Sequence, residues 1–474
     1  MKSRFLSLFL AVIAATVLSS CEDHHASQML LLINGVQYDI DLPATDPVDL
    51  KTLCTEFDAY IQVVNYTDFE RIAIDGGTMA RSSVTLPVPE LSQDEQITID
   101  YKTGRLTGTI VLNTLHSGID RIGATGRAVV PGDFYLSFIF RRLIMKYDNA
   151  GQLLYYCFDP DAKDGTMEEN GFWDFKKHTY NGKTYYSYHA PDPAFAKRAF
   201  TGYNPGMRVL LDEHYRPLKS IHAKASRDGY LPDGEPIDGH DFYFFSPDHY
   251  ILSLYVEREV QGRLKCVSYL QEVDNGEVVF DWWSTDHPEM AQWGDYTFDF
   301  SYDYVHFNSL QVLPDGNWLC SFRHLSSVVK IDRAGGTGDI IWRISGKDLP
   351  DAQSFSGEHY VTLHEDGTLS LFDNGNGHTP PITRIMRLEI DPETGEVKGG
   401  GNLVPTDDYF SMACGAVNDF GSYFVVGWGW RNGEWNNRLV TEHARDGREI
   451  FGLRHISTDS MANSLSASYR CVKY

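Results

Sequence analysis

Three histidines stand at nearly the same place in three successive copies of a strand–turn–strand pattern. His240, His306 and His359 each come seven to nine residues before the Asp of the turn that follows. Equivalent positions in repeats arranged about an axis converge on one end of a central channel. The sequence therefore predicts three imidazoles around one pocket. Structural hydrogen bonding between neighbouring repeats is the alternative role for each ring.

Arg323 adds a permanent positive charge to this group. It ends the run Cys320-Ser321-Phe322-Arg323, which is expected to pair with the strand after His306. A guanidinium presents paired donors to a tetrahedral oxyanion, and a neutral imidazole can act as a nucleophile near pH 7. These residue types predict a site that binds an anion. A surface arginine with its stem on apolar neighbours is the alternative.

Other functions could use residues of the same region. Asp238, Asp241 and Asp373 would suit a metal-dependent hydrolase, but an arginine beside them would repel the metal ion, so we expect no metal and no cofactor. The glycine-rich run 335–338 lacks the lysine of a phosphate-binding loop. A glycan-binding protein would use aromatic side chains and would not need the His–Arg group. The fold alone cannot decide between these functions.

A repeat that starts near residue 129 must position these side chains. Its unit is an apolar run, an Asp-x-x-Gly turn or a relative of it, and a second apolar run, and it recurs roughly every 60 residues. The six copies begin at Leu143, Val209, Tyr269, Val328, Leu388 and Leu439. Each interval is long enough for the four strands of one blade. The pattern predicts an all-β fold with a six-bladed β-propeller over residues 129–474.

A second pattern of strand, turn and strand interleaves with the first. Its turns lie at Pro247-Asp248, Pro314-Asp315-Gly316-Asn317, Glu365-Asp366-Gly367 and Asp419-Phe420-Gly421. We expect each turn to join the two innermost strands of a blade. The three histidines then lie at the start of an innermost strand.

Residues 27–128 predict a small N-terminal β-sandwich. Asn34-Gly35 lies between two apolar runs, which is a strong hairpin signal. Further short strands are expected near residues 60–64, 84–88, 97–101 and 106–112. Closely spaced strands without helical periodicity are typical of a sandwich.

The first 21 residues predict an export signal. Lys2 and Arg4 precede a short apolar stretch, and Leu18-Ser19-Ser20-Cys21 resembles a bacterial lipobox. We expect Cys21 to be acylated, giving a lipoprotein anchored at the periplasmic or cell-surface face of the outer membrane. An ordinary signal peptide that contains a cysteine is the alternative.

Composition limits the partners. The formal charge is -24, from 41 basic and 65 acidic residues, so the surface repels phosphate backbones and we expect no nucleic-acid partner. Aromatic residues make up 13% of the chain, which suits strands. The six cysteines after Cys21 are scattered in apolar runs without a CxxC motif, so they are predicted to be small buried side chains. Composition does not determine the oligomeric state.

Several of these segments together resemble a known family. The runs His306-Phe307-Asn308-Ser309, Pro314-Asp315-Gly316-Asn317 with Arg323, Ile340–Lys347, Phe355–His359 and Leu371–Gly375 resemble motifs of the bacterial aryl-sulfate sulfotransferases. The resemblance covers the propeller and, more loosely, the N-terminal sandwich. In that family a histidine is transiently sulfurylated. A phenolic sulfate ester is the donor and a phenol is the acceptor, without phosphoadenosine phosphosulfate.

The resemblance implies a role for each matching residue. His359 matches the nucleophile. His306 and Arg323 match groups that bind the sulfuryl oxygens and assist proton transfer. Asn308 matches a substrate-binding neighbour that orients them, and His240 matches a further contact. Glu358 stands where the family often has Gln, so transfer and hydrolysis both stay open, as does a non-catalytic binding propeller.

A phenol needs apolar walls. The candidates are Trp428, Trp430 and Trp435 in the last repeat, and Trp293, Tyr296 and Phe298 before His306. Core or loop packing is the alternative for each of them.

Overall fold

The computed structural model describes residues 26–33, 36–56, 59–75, 85–88, 95–114, 122–159, 171–198, 202–294, 302–404, 409–430, 438–455 and 467–474. Within these residues the protein is all-β, and the helical segments are short 3-10 turns. These turns are Tyr66–Asp68, Pro193–Arg198, Ser284–Asp286, Pro288–Gln292, Arg323–Leu325 and Gly346–Asp348. The search of the described residues found no helix long and apolar enough to cross a membrane.

The strands of the N-terminal part are β1 (Gln28–Ile33), β2 (Val36–Asp41), β3 (Val48–Leu50), β4 (Thr52–Cys54), β5 (Ala59–Val63), β6 (Arg71–Ile74), β7 (Thr85–Val88), β8 (Gln96–Thr103), β9 (Leu106–Thr114) and β10 (Ile122–Gly126). Eight of them form two four-stranded sheets, with the orders β2-β1-β5-β7 and β3-β9-β8-β6. Alternating side chains from both sheets meet in one apolar core, including Leu31, Ile61, Ile99 and Ile110.

The remaining strands are β11 (Phe134–Phe138), β12 (Leu143–Tyr147), β13 (Leu153–Phe158), β14 (Trp173–Tyr180), β15 (Lys183–Pro191), β16 (Gly206–Leu211), β17 (Pro217–Ile221), β18 (Phe242–Ser246), β19 (His249–Val260), β20 (Arg263–Asp274), β21 (Glu277–Trp283), β22 (Phe307–Val312), β23 (Trp318–Phe322), β24 (Ser327–Ile331), β25 (Ile340–Ser345), β26 (His359–Leu363), β27 (Thr368–Asp373), β28 (Arg384–Ile390), β29 (Val397–Asn402), β30 (Ala416–Asp419), β31 (Tyr423–Gly427), β32 (Arg438–Ala444), β33 (Glu449–His455) and β34 (Ser468–Lys473).

These strands form six antiparallel sheets. Four have the consecutive orders β14-β15-β16-β17, β18-β19-β20-β21, β22-β23-β24-β25 and β26-β27-β28-β29. The other two have the orders β34-β11-β12-β13-β4 and β30-β31-β32-β33-β10. The first strands contact one another in the cycle β34, β14, β18, β22, β26, β30 and back to β34. The sheets therefore follow one another around a closed circuit.

The circuit is closed by strands from distant parts of the chain. The C-terminal β34 pairs with β11, placing Cys471 opposite Leu136. From the N-terminal side, β10 pairs with β33 and β4 pairs with β13. Hydrogen bonds therefore join strands on the two sides of the predicted domain boundary at residue 129. The boundary itself stays a prediction.

The predicted hairpins are present. Strands β1 and β2 pair antiparallel, with Ile33 opposite Val36. The four inner turns join β18 to β19, β22 to β23, β26 to β27 and β30 to β31. The six copies of the Asp-x-x-Gly unit contribute the third and fourth strands of the six sheets. Cys54, Cys266, Cys320, Cys414 and Cys471 are buried and Cys157 is half-buried, as the sequence predicts. Cys21 and the predicted signal lie outside the described residues.

Candidate active site

The three histidines lie at the start of the first strand of three successive sheets. His240 stands two residues before β18, His306 directly before β22, and His359 is the first residue of β26. The rings of His240 and His306 are 4.9 Å apart between centroids. Both rings also act electrostatically on His359, whose pKa they help to lower. The structure thus gathers the predicted imidazoles into one cluster.

Arg323 joins this cluster through its backbone and its side chain. Its N–H donates to the carbonyl of His306 at 2.9 Å. Its Nη2 donates to the carbonyl of Met412 at 2.8 Å, and two residues further along the N–H of Cys414 donates to Nε2 of His359 at 3.2 Å. Arg323 and His359 therefore reach the same short loop before β30. Arg323 is buried, so the surface-arginine alternative is wrong.

Hydrogen bonds fix the tautomer of His359. Its Nδ1 lies 2.7 Å from Oδ1 of Asn374 and 3.1 Å from the carbonyl of Gly357. Both partners accept, so Nδ1 carries the proton and Nε2 carries the lone pair. The donor at Nε2 is the N–H of Cys414. Nε2 is consequently the atom that can attack an electrophile.

Electrostatics keep this ring neutral. Burial, the guanidinium of Arg323 and the rings of His240 and His306 hold the pKa of His359 well below its usual range, against the hydrogen bond that Nδ1–H donates to Asn374. A neutral imidazole at physiological pH has the free electron pair that a nucleophile needs.

The backbone at the start of these strands is strained in a repeated way. His306 has φ 53°, Tyr360 has φ 52°, Cys414 has φ 65° and Asp174 has φ 50°. Such values are uncommon for residues other than glycine and concentrate at functional sites. The pairing register also shifts between His306's neighbour Phe307 and Ser309.

Two carboxylates that the sequence prediction did not assign to the histidines hold two of the rings. Nδ1 of His306 lies 2.5 Å from Oδ2 of Asp303, and Nδ1 of His240 lies 2.9 Å from the carboxylate of Asp238. His324 stacks near His306, with centroids 4.2 Å apart, and donates from Nδ1 to the carbonyl of Asp303. Each Nδ1 therefore faces an oxygen, which fixes the orientation of the ring.

Asp303, His306 and His324 are also a group of potential metal ligands, with donor atoms within 4.8 Å of one another. Nδ1 of His306 donates to the carboxylate of Asp303, and Nδ1 of His324 donates to the backbone carbonyl of Asp303. A metal ion would have to replace these hydrogen bonds, and the nearby guanidinium of Arg323 opposes it. The contacts fit a hydrogen-bonded pair of rings better than a metal centre.

Asn308 lies in β22 behind the histidines. Its Nδ2 donates to the carbonyl of Glu358, the residue before His359, at 2.5 Å. Its Oδ1 is buried and has no hydrogen-bond partner in the part of the chain that the structure describes. An amide oxygen cannot donate to a sulfuryl oxygen, but it can accept a hydrogen bond from a hydroxyl group.

The whole cluster is buried. His240, His306, His359 and Arg323 are 3%, 4%, 2% and 6% exposed. A substrate of aryl size therefore has to displace residues that cover them. Two surface cavities of about 430 and 390 Å³ lie elsewhere, one along residues 37–51 and one beside β17.

The aromatic candidates for a phenol wall lie in different surroundings. Trp428 is buried in an apolar core and packs against Tyr409, as its core-packing alternative describes. Trp430 packs edge-on against Phe140, and both border the apolar group that contains Cys414. Trp293 lies under the guanidinium of Arg343. Trp435, Tyr296 and Phe298 lie outside the described residues.

The carboxylates considered for a metal hydrolase have other partners. Asp373 pairs with His378 and Arg384. Asp241 belongs to a buried charged network of Asp174, Lys176, Arg208, Asp241 and Arg470. The network was missing from the sequence prediction because its members come from β14, β16, β34 and the start of β18.

Asn374 and the loop 411–414 were also missed. Asn374 donates from Nδ2 to the carbonyls of Ser411 and Cys414 while it accepts from His359, so it ties the loop to the ring. One signal was present. Cys414 stands just before the first strand of the next sheet, which is the position the histidines occupy in the preceding three.

Fold and site together define an all-β protein with a buried His–Arg cluster suited to an anionic substrate. Residues 258–427 match the arylsulfotransferase (ASST) family. The matched segment contains His306, Asn308, Arg323 and His359, whereas His240 precedes it. No curated protein matches the chain.

Solved structures resemble the chain only distantly. A protein of unknown function from Bacteroides caccae is 11% identical, with a TM-score of 0.41, covering 73% of this chain and 99% of that one. A streptogramin B lyase is 11% identical, with a TM-score of 0.35, covering 73% and 91%. A virginiamycin B lyase from Staphylococcus aureus is 12% identical, with a TM-score of 0.32, covering 72% and 90%. At these TM-scores the structures bear on neither fold nor function.

Proposed function

We propose that the protein is an aryl-sulfate sulfotransferase that moves a sulfuryl group from a phenolic sulfate ester to a phenol through a sulfohistidine at His359. The observation that carries the proposal is the tautomer of the His359 ring, which hydrogen bonds fix. Its Nδ1–H is held by Asn374, its lone pair is on Nε2, and Arg323 and His306 lie beside it. The match of residues 258–427 to the arylsulfotransferase family supports the same reaction.

In the first half-reaction Nε2 of His359 attacks the sulfur. The N–S bond forms as the S–O bond to the aryl group breaks, and the electron pair leaves on the phenolate oxygen. The hydrogen bond from Cys414 to Nε2 is long and has to be released first. Asn374 keeps Nδ1–H in place and so preserves the ring orientation through the attack.

Negative charge develops on the sulfuryl oxygens during the transfer, and hydrogen-bond donors that are already in position stabilise it. Arg323 is buried beside the nucleophile and retains a charged guanidinium, which is worth more in a dry site than in water. In the second half-reaction the acceptor phenol attacks the sulfur and the N–S bond breaks. The buried Oδ1 of Asn308 is placed to receive a hydrogen bond from a hydroxyl group.

We further propose that the six sheets are the blades of a β-propeller and that the two N-terminal sheets are a β-sandwich. The closed cycle of first strands and the pairing of β34 with β11 support the ring. The apolar core shared by the two N-terminal sheets supports the sandwich.

We also propose an exported lipoprotein anchored through Cys21 at the periplasmic or cell-surface face of the outer membrane, on the strength of the lipobox resemblance. Cells grown with a labelled fatty acid should label the full chain but not the Cys21→Ser variant. Equal labelling of both, or of neither, would contradict the anchor.

The reaction is tested with 4-nitrophenyl sulfate in the presence and absence of phenol. Release of nitrophenol that requires phenol, with phenyl sulfate as product, is the expected result. Release without phenol and with free sulfate would make the protein a sulfatase. No release by the folded protein would overturn the proposal and favour a glycan- or ligand-binding protein.

A matched pair of histidine variants locates the nucleophile. His364 lies on the same hairpin as His359 and bonds to Ser370. His359→Gln should abolish formation of the covalent intermediate, whereas His364→Gln should not. A covalent intermediate trapped on His359→Gln with an aryl sulfate that carries the radiolabel in its sulfuryl group would show that another residue is the nucleophile.

A further inference from the structure

The three histidines of the cluster share one geometry but have partners of different charge. Nδ1 of His306 donates to the carboxylate of Asp303 at 2.5 Å. Nδ1 of His240 faces the carboxylate of Asp238 at 2.9 Å. Nδ1 of His359 donates to the neutral amide oxygen of Asn374 at 2.7 Å.

The two kinds of partner orient a ring equally well but affect its proton affinity differently. A carboxylate stabilises an imidazolium by charge, whereas an amide oxygen accepts the same hydrogen bond without a charge. A ring backed by Asn374 therefore tends to remain neutral. A ring backed by Asp303 can take up and release a proton at Nε2.

We propose that Asp303 is a positioning residue that makes His306 the proton carrier of the reaction. This inference rests on the function proposed above. As the S–O bond breaks, Nε2 of protonated His306 gives its proton to the leaving phenolate oxygen. When the acceptor phenol attacks and the N–S bond breaks, neutral His306 takes the phenolic proton. One proton leaves and one returns, so the cycle balances.

The surroundings of His306 show why it needs this carboxylate. The rings of His240, His324 and Tyr255 lie 4.9, 4.2 and 5.3 Å from that of His306 between centroids, and Arg323 acts on it electrostatically. Burial, His240 and Arg323 hold the pKa of His306 well below its usual range. Burial raises the pKa of Asp303, an effect that His324, His240 and Arg323 oppose. The Asp303 carboxylate contacts Nδ1 of His306 directly, and a bound sulfate ester brings a further negative charge. Both favour the protonated ring at the moment when the phenolate leaves.

Asp303 is itself held in place. A β-bridge joins it to Cys266 in the long β19–β20 hairpin, and its carbonyl accepts from Nδ1 of His324. Tyr255, in the same hairpin, donates to the carbonyl of Phe307, the residue after His306. The hairpin and the histidine are therefore fixed to each other, and the carboxylate stays within hydrogen-bonding distance of the ring.

The test is a series of aryl sulfates that differ only in the leaving phenol. A good leaving group such as 4-nitrophenol needs little protonation, whereas unsubstituted phenol needs much. Asp303→Asn keeps an acceptor near Nδ1 but removes the charge. We expect kcat/KM to fall about 100-fold for phenyl sulfate and less than about 10-fold for 4-nitrophenyl sulfate. Asp303→Glu should recover part of the loss.

A merely structural Asp303 predicts a different result, in which Asp303→Asn lowers kcat/KM by the same factor for every leaving group. That outcome would overturn the proposal. Asp315→Asn is the matched control, because Asp315 lies in an exposed turn of the same sheet. It should leave the whole series unchanged. If Asp303→Asn does not fold, His306→Gln carries the same test and must show the same dependence on the leaving group.

Two further measurements separate this proposal from its alternatives. A stoichiometric metal in the wild-type protein that is lost in both Asp303→Asn and His324→Gln would overturn it in favour of a metal site. A wild-type protein without turnover would overturn the sulfotransferase function itself. An active wild type with an unchanged leaving-group dependence in Asp303→Asn overturns only the role of Asp303.

Discussion

The charged network around Asp174 and the histidine cluster around His306 both involve the first strands of the sheets, and their polar groups are satisfied differently. In the network, Oδ1 of Asp174 accepts from Arg470 at 2.7 Å, and Oδ2 accepts from Arg208 at 3.0 Å and lies near Lys176. Each carboxylate oxygen of Asp174 thus has a cationic partner. In the cluster, the atom held by a side-chain or backbone oxygen is Nδ1 of each ring, and on His359 the other nitrogen has only the long hydrogen bond from Cys414.

The two arrangements indicate different roles: the charged network stabilises the fold, and the histidine cluster serves the reaction. A buried charge with paired partners stabilises the fold only while every partner is present. A ring held at one nitrogen by a fixed acceptor keeps its orientation while the other nitrogen reacts. Variants in the network should therefore alter stability and spare the chemistry, and variants in the cluster should do the reverse.

The largest expected effect is on turnover in the cluster. His359→Gln should reduce kcat with 4-nitrophenyl sulfate and phenol at least about 1000-fold, because no other neutral nucleophile is held in its place. Its free energy of unfolding should change by less than about 2 kcal/mol. Steady-state kinetics and urea unfolding measure the two quantities. A stable, fully active variant would remove His359 from the mechanism.

The network variant should give the opposite pattern. Arg208 is buried and donates to Asp174 and Ser187. Arg208→Met keeps most of the volume but leaves Asp174 with one cation fewer, so unfolding should become easier by about 3–5 kcal/mol. Specific activity of the folded fraction should not change. A loss of activity without a loss of stability would break the comparison.

A substitution of Arg323 tests whether its charge lowers the pKa of the nucleophile His359. Arg323→Gln removes a donor to the developing charge, so kcat/KM should fall about 100-fold. It also removes a positive neighbour, the cause second to burial for the low pKa of His359, so that pKa should rise. The acid limb of the pH–rate profile should then move to higher pH. If the acid limb of the pH–rate profile stays at the same pH, the charge of Arg323 does not contribute to the low pKa of His359.

The smallest expected effect is on acid stability. Burial raises the pKa of Asp174, but Lys176, Arg470 and Arg208 outweigh it and lower the value to about 2. The unfolded value is about 3.9, so this carboxylate contributes stability above about pH 4 that is lost as the pH falls toward 2. Arg208→Met should raise the folded-state pKa and move acid unfolding to higher pH. Circular dichroism during acid titration measures the midpoint, and an unchanged midpoint would contradict the assignment.

Local patterns made much of the fold predictable. The Asp-x-x-Gly units and inner turns specify strand pairs only a few residues apart, and the observed hairpins confirm them. The same register placed His240, His306 and His359 at the start of first strands. The partners of the rings were harder to predict. Asp303 precedes His306 by only three residues, but nothing in the local pattern indicates that the chain turns its carboxylate onto Nδ1.

The sequence by itself determined the strand period, the turns and the residue types available for anion chemistry, because these depend on neighbours along the chain. Tertiary structure decided which nitrogen of each ring is held and which charges meet. The bond from Cys414 to His359 spans 55 residues and that from Arg470 to Asp174 spans 296. Such contacts exist only once the sheets are arranged around one another, and no local propensity encodes them.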